Sequence, residues 1–108
     1  ADYDSAGILA AAPAFYTDLN NIVAVVAMSP LNGTKAGYSN PCGAIAMNFC
    51  LAAPGTVNLL LPTVTQTDPL TADSYKWFAG TSAAAPVVSG IAALVSAHVP
   101  HTFTAKVF

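Results

Sequence analysis

The stretch from Phe78 to Val99 constrains the fold of this chain more than any other. It runs from a Gly-Thr-Ser turn into a segment in which every residue between Ser82 and His98 is Ala, Val, Ile, Leu, Gly, Pro or Ser. A helix that is apolar on all sides is buried inside a larger protein or lies in a membrane. The pattern therefore predicts a helix over residues 83–99, with Ser82 at the point where it reaches the surface.

Ser82 stands at the predicted start of this helix, where a hydroxyl group can play two roles. Free N–H groups and the positive end of the helix dipole favour negative charge there, so Ser82 can attack a carbonyl carbon while backbone N–H groups bind the oxyanion. Gly80 allows a tight turn, and Pro86 lacks the N–H that would bond the Ser82 carbonyl. Serine is also a common N-cap, and residue types alone favour that simpler interpretation.

A longer pattern favours the catalytic interpretation. The residues Gly80-Thr81-Ser82-Ala83-Ala84-Ala85-Pro86, followed by Val88 and Gly90, match Gly-Thr-Ser-x-Ala-x-Pro-x-Val-x-Gly at every fixed position. This pattern resembles the catalytic-serine motif of the subtilisin-like serine peptidases, the subtilases. The resemblance implies that Ser82 is the nucleophile, that Thr81 supports the oxyanion, and that Gly80, Pro86 and Gly90 are structural positions of the motif.

Two upstream segments extend the resemblance from about Ile22 to Val99. The apolar run Ile22 to Met28 has the length of a strand buried on both faces and is similar to a buried strand of the family. Ala52-Ala53-Pro54-Gly55 is similar to the family's Ala-Pro-Gly strand end. Tyr75 to Phe78 is predicted to be a brief strand before the Gly-Thr-Ser turn, with Trp77 and Phe78 packed in the core.

The resemblance implies an α/β fold, as part of the three-layer subtilisin-like architecture. Residues 1–108 would be the C-terminal portion of one catalytic domain, comprising its last parallel strands and the central serine-bearing helix. Subtilases use their triad in the order Asp, His, Ser, so the Asp, the His and the oxyanion Asn would precede this chain. The oxyanion role is not assigned to Asn20 or Asn21. The chain alone is therefore expected to be inactive.

Cys42 and Cys50 are the only cysteines. The segment Tyr38-Ser39-Asn40-Pro41-Cys42-Gly43 together with Cys50 resembles subtilases of bacterial autotransporters, which implies an exported protein and a local disulfide. The alternative is a pair of reduced, buried thiols. Two cysteines cannot complete a zinc site by themselves, and no metal or cofactor is expected.

Composition agrees with an interior piece of a larger domain. Charged residues make up 7% of the chain, against about 25% in typical domains. The three basic residues, Lys35, Lys76 and Lys106, form no basic run, so nucleic-acid binding is not expected. The expected partners are a peptide or protein substrate and the missing N-terminal part of the catalytic domain.

The two histidines are poor candidates for the general base. His98 follows Ser82 by sixteen residues, about 24 Å along a straight helix, and it suits the negative end of the helix dipole. His101 follows it in a tail after Pro100. Asp68 and Asp73 lie in a polar stretch and are expected to be solvated.

Two other functions stay open at this point. The chain can be a non-catalytic binding module that keeps the fold, because two triad members lie outside it. Alternatively, the helix can insert into a membrane, but it is at the short limit for spanning, contains Pro86 and has no basic flank. A membrane role is therefore not expected for this segment.

Overall fold

The computed structural model describes residues 5–60 and 69–99. The predictions that concern Asp68, Pro100 and His101 lie outside those ranges. The α-helices are α1 (Ile8–Ala11), α2 (Gly43–Ala46) and α3 (Thr81–His98), and the strands are β1 (Ala24–Met28), β2 (Cys50–Pro54), β3 (Thr56–Leu60) and β4 (Tyr75–Ala79). Three 3-10 helices cover Ala12–Ala14, Met47–Phe49 and Ala72–Ser74.

In the described part of the chain, strands β1 and β2 form a parallel sheet, with Ala24 opposite Cys50 and Met28 opposite Pro54. The apolar run at Ile22 predicts β1 well, although the strand begins at Ala24. The crossover between the two strands contains a turn at Gly33, whose φ is 67°, and then the disulfide loop. The parallel pair agrees with the predicted α/β fold class.

Helix α3 packs across β1 and β2 through small side chains. Its buried residues are Ala83, Ala84 and Val88, and two of them join a core of small residues: Ala27, Ala36, Ala53, Ala84 and Val88. Because alanine has only a methyl side chain, the helix backbone lies close to the sheet. The small residues that follow Ser82 are therefore packing residues as well as motif positions.

The second sheet is the antiparallel pair of β3 and β4, which joins the parallel sheet to α3. Thr56 lies opposite Ala79, and Leu60 lies opposite Tyr75. Gly55 is the single residue between β2 and β3, and Gly80 is the single residue between β4 and α3. Both sheets therefore converge on the turn that precedes Ser82.

After the turn at Gly33 the chain meets the end of β1 again through an antiparallel bridge between Met28 and Lys35. The Ala36 N–H donates to Ala27 O at 2.8 Å, and the backbone then turns, with Ser39 N–H donating to Ala36 O at 2.9 Å. The chain cannot continue pairing with β1 beyond that turn.

The prediction that Trp77 and Phe78 are core anchors is wrong for the described structure. Trp77 is 74% exposed and Phe78 is 44% exposed, because the sheet that holds β4 has two strands in residues 5–60 and 69–99 and nothing described there covers β4. The far side of α3 is open as well, with Ile91 and Leu94 exposed. By length and composition alone this helix could cross a membrane.

Cys42 and Cys50 form the expected disulfide, with their Cα atoms 6.0 Å apart. Cys42 immediately precedes α2, and Cys50 is the first residue of β2. The bond therefore closes a short helical loop and fixes its end to the parallel sheet.

Candidate active site

The backbone at Gly80 directs the chain from β4 into α3. Gly80 has φ 146° and ψ 168°, a conformation that is essentially restricted to glycine. Its N–H donates to the Gly55 carbonyl at 2.8 Å, which continues the β3–β4 pairing one residue past Thr56 and Ala79. The position of the next two residues, Thr81 and Ser82, is therefore set by a hydrogen-bonded turn.

Ser82 is exposed and lies in the first turn of α3. The Ala83 N–H donates to Gly80 O at 3.0 Å. The N–H groups of Thr81 and Ser82 precede the point at which intrahelical bonding begins, so they can donate to an anion at the positive end of the helix dipole. No side chain caps this terminus. The simpler N-cap interpretation of Ser82 does not apply, because the N-cap position is Gly80.

An almost wholly apolar pocket of about 290 Å³ borders Ser82. It lies between β3, β4 and the first turns of α3. Its lining residues are Val57, Phe78, Ser82, Ala83, Pro86 and Val87. The serine hydroxyl is the polar side chain of this set, so an apolar group that fills the pocket would be held beside it.

Thr81 borders a different depression from Ser82. It contributes to a cleft of about 280 Å³ between the start of β1, the segment before α1 and the turn at residues 38–41. Thr81 is not among the residues that line the apolar pocket at Ser82, and its support of the oxyanion stays a prediction.

Pro86 and Gly90 lie within α3, which continues through both. Pro86 cannot donate to the Ser82 carbonyl and also lines the pocket. A Cβ built at Gly90 would meet nothing within 4 Å, so the described contacts do not explain why a glycine stands there.

The described histidine is remote from Ser82. His98 is the last residue of α3, and its Nδ1 lies 3.1 Å from Leu94 O. Asp73 is exposed in the 3-10 helix before β4. Among the side chains of residues 5–60 and 69–99, none is recorded in hydrogen-bond contact with the Ser82 hydroxyl, and these residues hold no group of three or more His, Cys, Asp or Glu side chains that could bind a metal ion.

Sequence reasoning missed two residues beside the site, Tyr38 and Gly55. The Tyr38 hydroxyl donates to Gly55 O at 2.8 Å, the same carbonyl that accepts the Gly80 N–H. Gly55 ends the Ala-Pro-Gly segment that carried part of the resemblance, which was a usable signal. Tyr38 begins the segment that resembles autotransporter subtilases, but nothing in that segment indicated a contact with Gly55, which is seventeen residues away.

Comparison with known proteins identifies relatives of the chain. The sequence model of the subtilase family matches residues 6–107. An extracellular basic protease of Dichelobacter nodosus is 46% identical over 76 residues, which is 70% of this chain and 12% of that protein. No solved structure shows a significant match.

Proposed function

Because this chain belongs to the subtilase family, we propose that it is the serine-bearing, C-terminal portion of the catalytic domain of an exported serine endopeptidase. The observation that carries the proposal is the position of Ser82. Its exposed hydroxyl lies in the first turn of α3, directly after the Gly80 turn and beside an apolar pocket. The extracellular relative supports export.

The proposed reaction is acyl transfer through Ser82. Its Oγ forms a bond to the carbonyl carbon of a peptide, and its proton passes to a histidine base, which then protonates the departing amine. The Ser82 backbone N–H donates to the oxyanion, and Thr81 supports that environment. Water then hydrolyses the acyl-enzyme and regenerates the serine. No cofactor takes part.

In the proposed enzyme, the general base and the residue that orients it lie in the part of the catalytic domain that precedes this chain. His98 is unsuited to the role, because it is the last residue of α3 and Ser82 lies in the first turn of that helix. The 108-residue chain alone is therefore expected to be inactive, and its necessary partner is the N-terminal part of the catalytic domain. The exposed Ile91 and Leu94 on α3 are consistent with such a covering layer.

The pocket beside Ser82 suggests the class of peptide that is cleaved. Since its walls are aliphatic and aromatic, we expect a peptide with an apolar side chain next to the scissile bond to bind better than one with a charged side chain. Burying a charge there without a partner is unfavourable.

Hydrolysis of a peptide by the full-length protein tests the proposal. Ser82→Ala is expected to reduce kcat by at least about 10⁴-fold, as expected when a catalytic serine is lost. Ser89→Ala is the matched control, since Ser89 is exposed on the same helix and its hydroxyl donates to Ala85 O at 3.2 Å. Equal activity of the two variants would contradict the proposal. Peptide binding without hydrolysis by the wild-type protein would instead favour a non-catalytic binding module.

We also propose, more specifically, that the parent protein is exported as an autotransporter. It rests on the resemblance of the segment around Cys42 and Cys50, and the disulfide between them is consistent with an oxidising compartment. Fractionation of cells that express the full-length protein tests it. A membrane-embedded translocator domain on the same chain would support the proposal, whereas secretion without such a domain would overturn it.

A further inference from the structure

We propose that Tyr38 is a positioning residue for Ser82, acting through the Gly55 carbonyl and the Gly80 turn. This inference rests on the proposed role of Ser82 as a nucleophile. Its basis is one shared acceptor: Gly55 O accepts the Tyr38 hydroxyl at 2.8 Å and the Gly80 N–H at 2.8 Å. Tyr38 thereby contacts the same carbonyl that holds Gly80, which lies two residues before Ser82.

Gly55 is held so tightly that its carbonyl has little freedom to turn. It is buried, and its N–H donates to Met28 O at 2.9 Å. A Cβ at this position would lie 2.8 Å from the Ala27 Cβ and would collide with the Tyr38 hydroxyl. Only glycine allows the tyrosine and the end of β1 to approach the backbone this closely.

Tyr38 is itself presented by an anchored turn. The Ser39 Oγ accepts the Ala27 N–H at 3.0 Å and donates to Asn40 O at 3.1 Å. On the other side, the Lys35 ammonium donates to Ser39 O at 2.6 Å and to Ala36 O at 3.1 Å. The ring is half-exposed, but the backbone that carries it is fixed to β1.

These contacts form a continuous connection from β1 to the serine. Removing the tyrosine hydroxyl would take away one of the two hydrogen bonds that hold the Gly55 carbonyl and leave the bond from the Gly80 N–H. The peptide plane that contains this carbonyl would then be freer to tilt. Small errors in the placement of a reacting group reduce the rate of the chemical step. A positioning role predicts an effect on kcat with little change in KM.

The test compares Tyr38→Phe with Tyr16→Phe in the full-length protein. Both substitutions remove one phenol hydroxyl, and Tyr16 is exposed in the segment after α1. We expect Tyr38→Phe to lower kcat about tenfold, with KM within about twofold of wild type, and Tyr16→Phe to leave both unchanged. The urea midpoint of both variants should stay close to that of the wild type.

Hydrogen exchange at the Gly80 amide provides a readout that does not require proteolysis. We expect Tyr38→Phe to accelerate exchange at Gly80 several-fold, as local opening becomes easier, and to leave the Ala36 amide unchanged. Unchanged exchange at Gly80, or faster exchange without loss of kcat, would overturn the inference. A wild-type protein that hydrolyses no peptide would instead overturn the proposed function, while the exchange result would still show whether Tyr38 holds the turn.

Discussion

Gly55 and Gly80 are joined by a 2.8 Å hydrogen bond from the Gly80 N–H to the Gly55 carbonyl. The two glycines lie at the ends of the β3–β4 pair, where one chain segment leaves the parallel sheet and the other enters α3. The bond therefore links the packing of the parallel sheet to the turn before Ser82. Stability and the geometry of the proposed nucleophile depend on the same few backbone contacts.

The first prediction concerns the backbone conformation of Gly80. Gly80→Ala is expected to lower the free energy of unfolding by about 1–3 kcal/mol, because an alanine is strained in this glycine-only conformation. The cost comes from the backbone, since the new Cβ would meet nothing closer than the Ser82 N at 3.8 Å. Gly37→Ala is the control, because its Cβ would enter open space and its φ is not positive. Urea denaturation that gives equal losses for the two variants would contradict this account.

The second prediction concerns the stability that the disulfide contributes. Replacing Cys42 and Cys50 by serine is expected to lower the free energy of unfolding by about 2–3 kcal/mol, the value that the chain-entropy model gives for a short loop. Chemical denaturation with and without a reductant measures the loss. Reductant should destabilise the wild type and leave the double variant unchanged. A wild type that is insensitive to complete reduction would refute the stabilising role.

The third prediction concerns the packing of α3 against the parallel sheet. Ala84 is completely buried in the core of small residues. Ala84→Leu is expected to cost about 1–3 kcal/mol through overpacking, measured as a lower urea midpoint. Ala97→Leu places the same side chain on an exposed part of the helix and should change the midpoint little. If Ala84→Leu matched this control, the helix would not pack as described.

The fourth prediction concerns Trp77 and Phe78, which are neighbours on β4 and therefore face opposite sides of the strand. Phe78 lines the pocket at Ser82, whereas Trp77 lines a separate groove with Leu31 and Tyr38. In the full-length protein, Phe78→Ala is expected to reduce kcat/KM about tenfold for a peptide with a matching apolar side chain. Trp77→Ala should leave that preference intact. A loss of preference in the Trp77 variant alone would place the substrate in the other groove.

Sequence patterns predicted the elements that have a strong local signal. The run at Ile22 anticipated β1, and the apolar stretch after Ser82 anticipated α3, although the helix begins at Thr81 because Gly80 ends the strand abruptly. The disulfide followed from a resemblance rather than from spacing. For β1 and α3, the determining interactions lie close together in the chain or repeat with a regular period.

Long-range contacts were not predictable in the same way. The bond from Tyr38 to Gly55 depends on the crossover between β1 and β2, which brings residues seventeen positions apart together. The exposure of Trp77 was missed because hydrophobic type indicates a core residue but does not show which layer covers it. The second sheet has only two strands among the described residues, so β4 stays open to solvent.

The most direct test of the account is labelling with a fluorophosphonate probe of activated serines, followed by intact mass measurement and peptide mapping. We expect one label on Ser82 in the full-length protein, no label on its Ser82→Ala variant and no label on the 108-residue chain alone. Absence of label from an active, folded full-length protein, or a label on another serine, would contradict the assignment of Ser82 as the nucleophile. A label on Ser82 in the pure 108-residue chain would contradict the claim that its general base lies outside this chain.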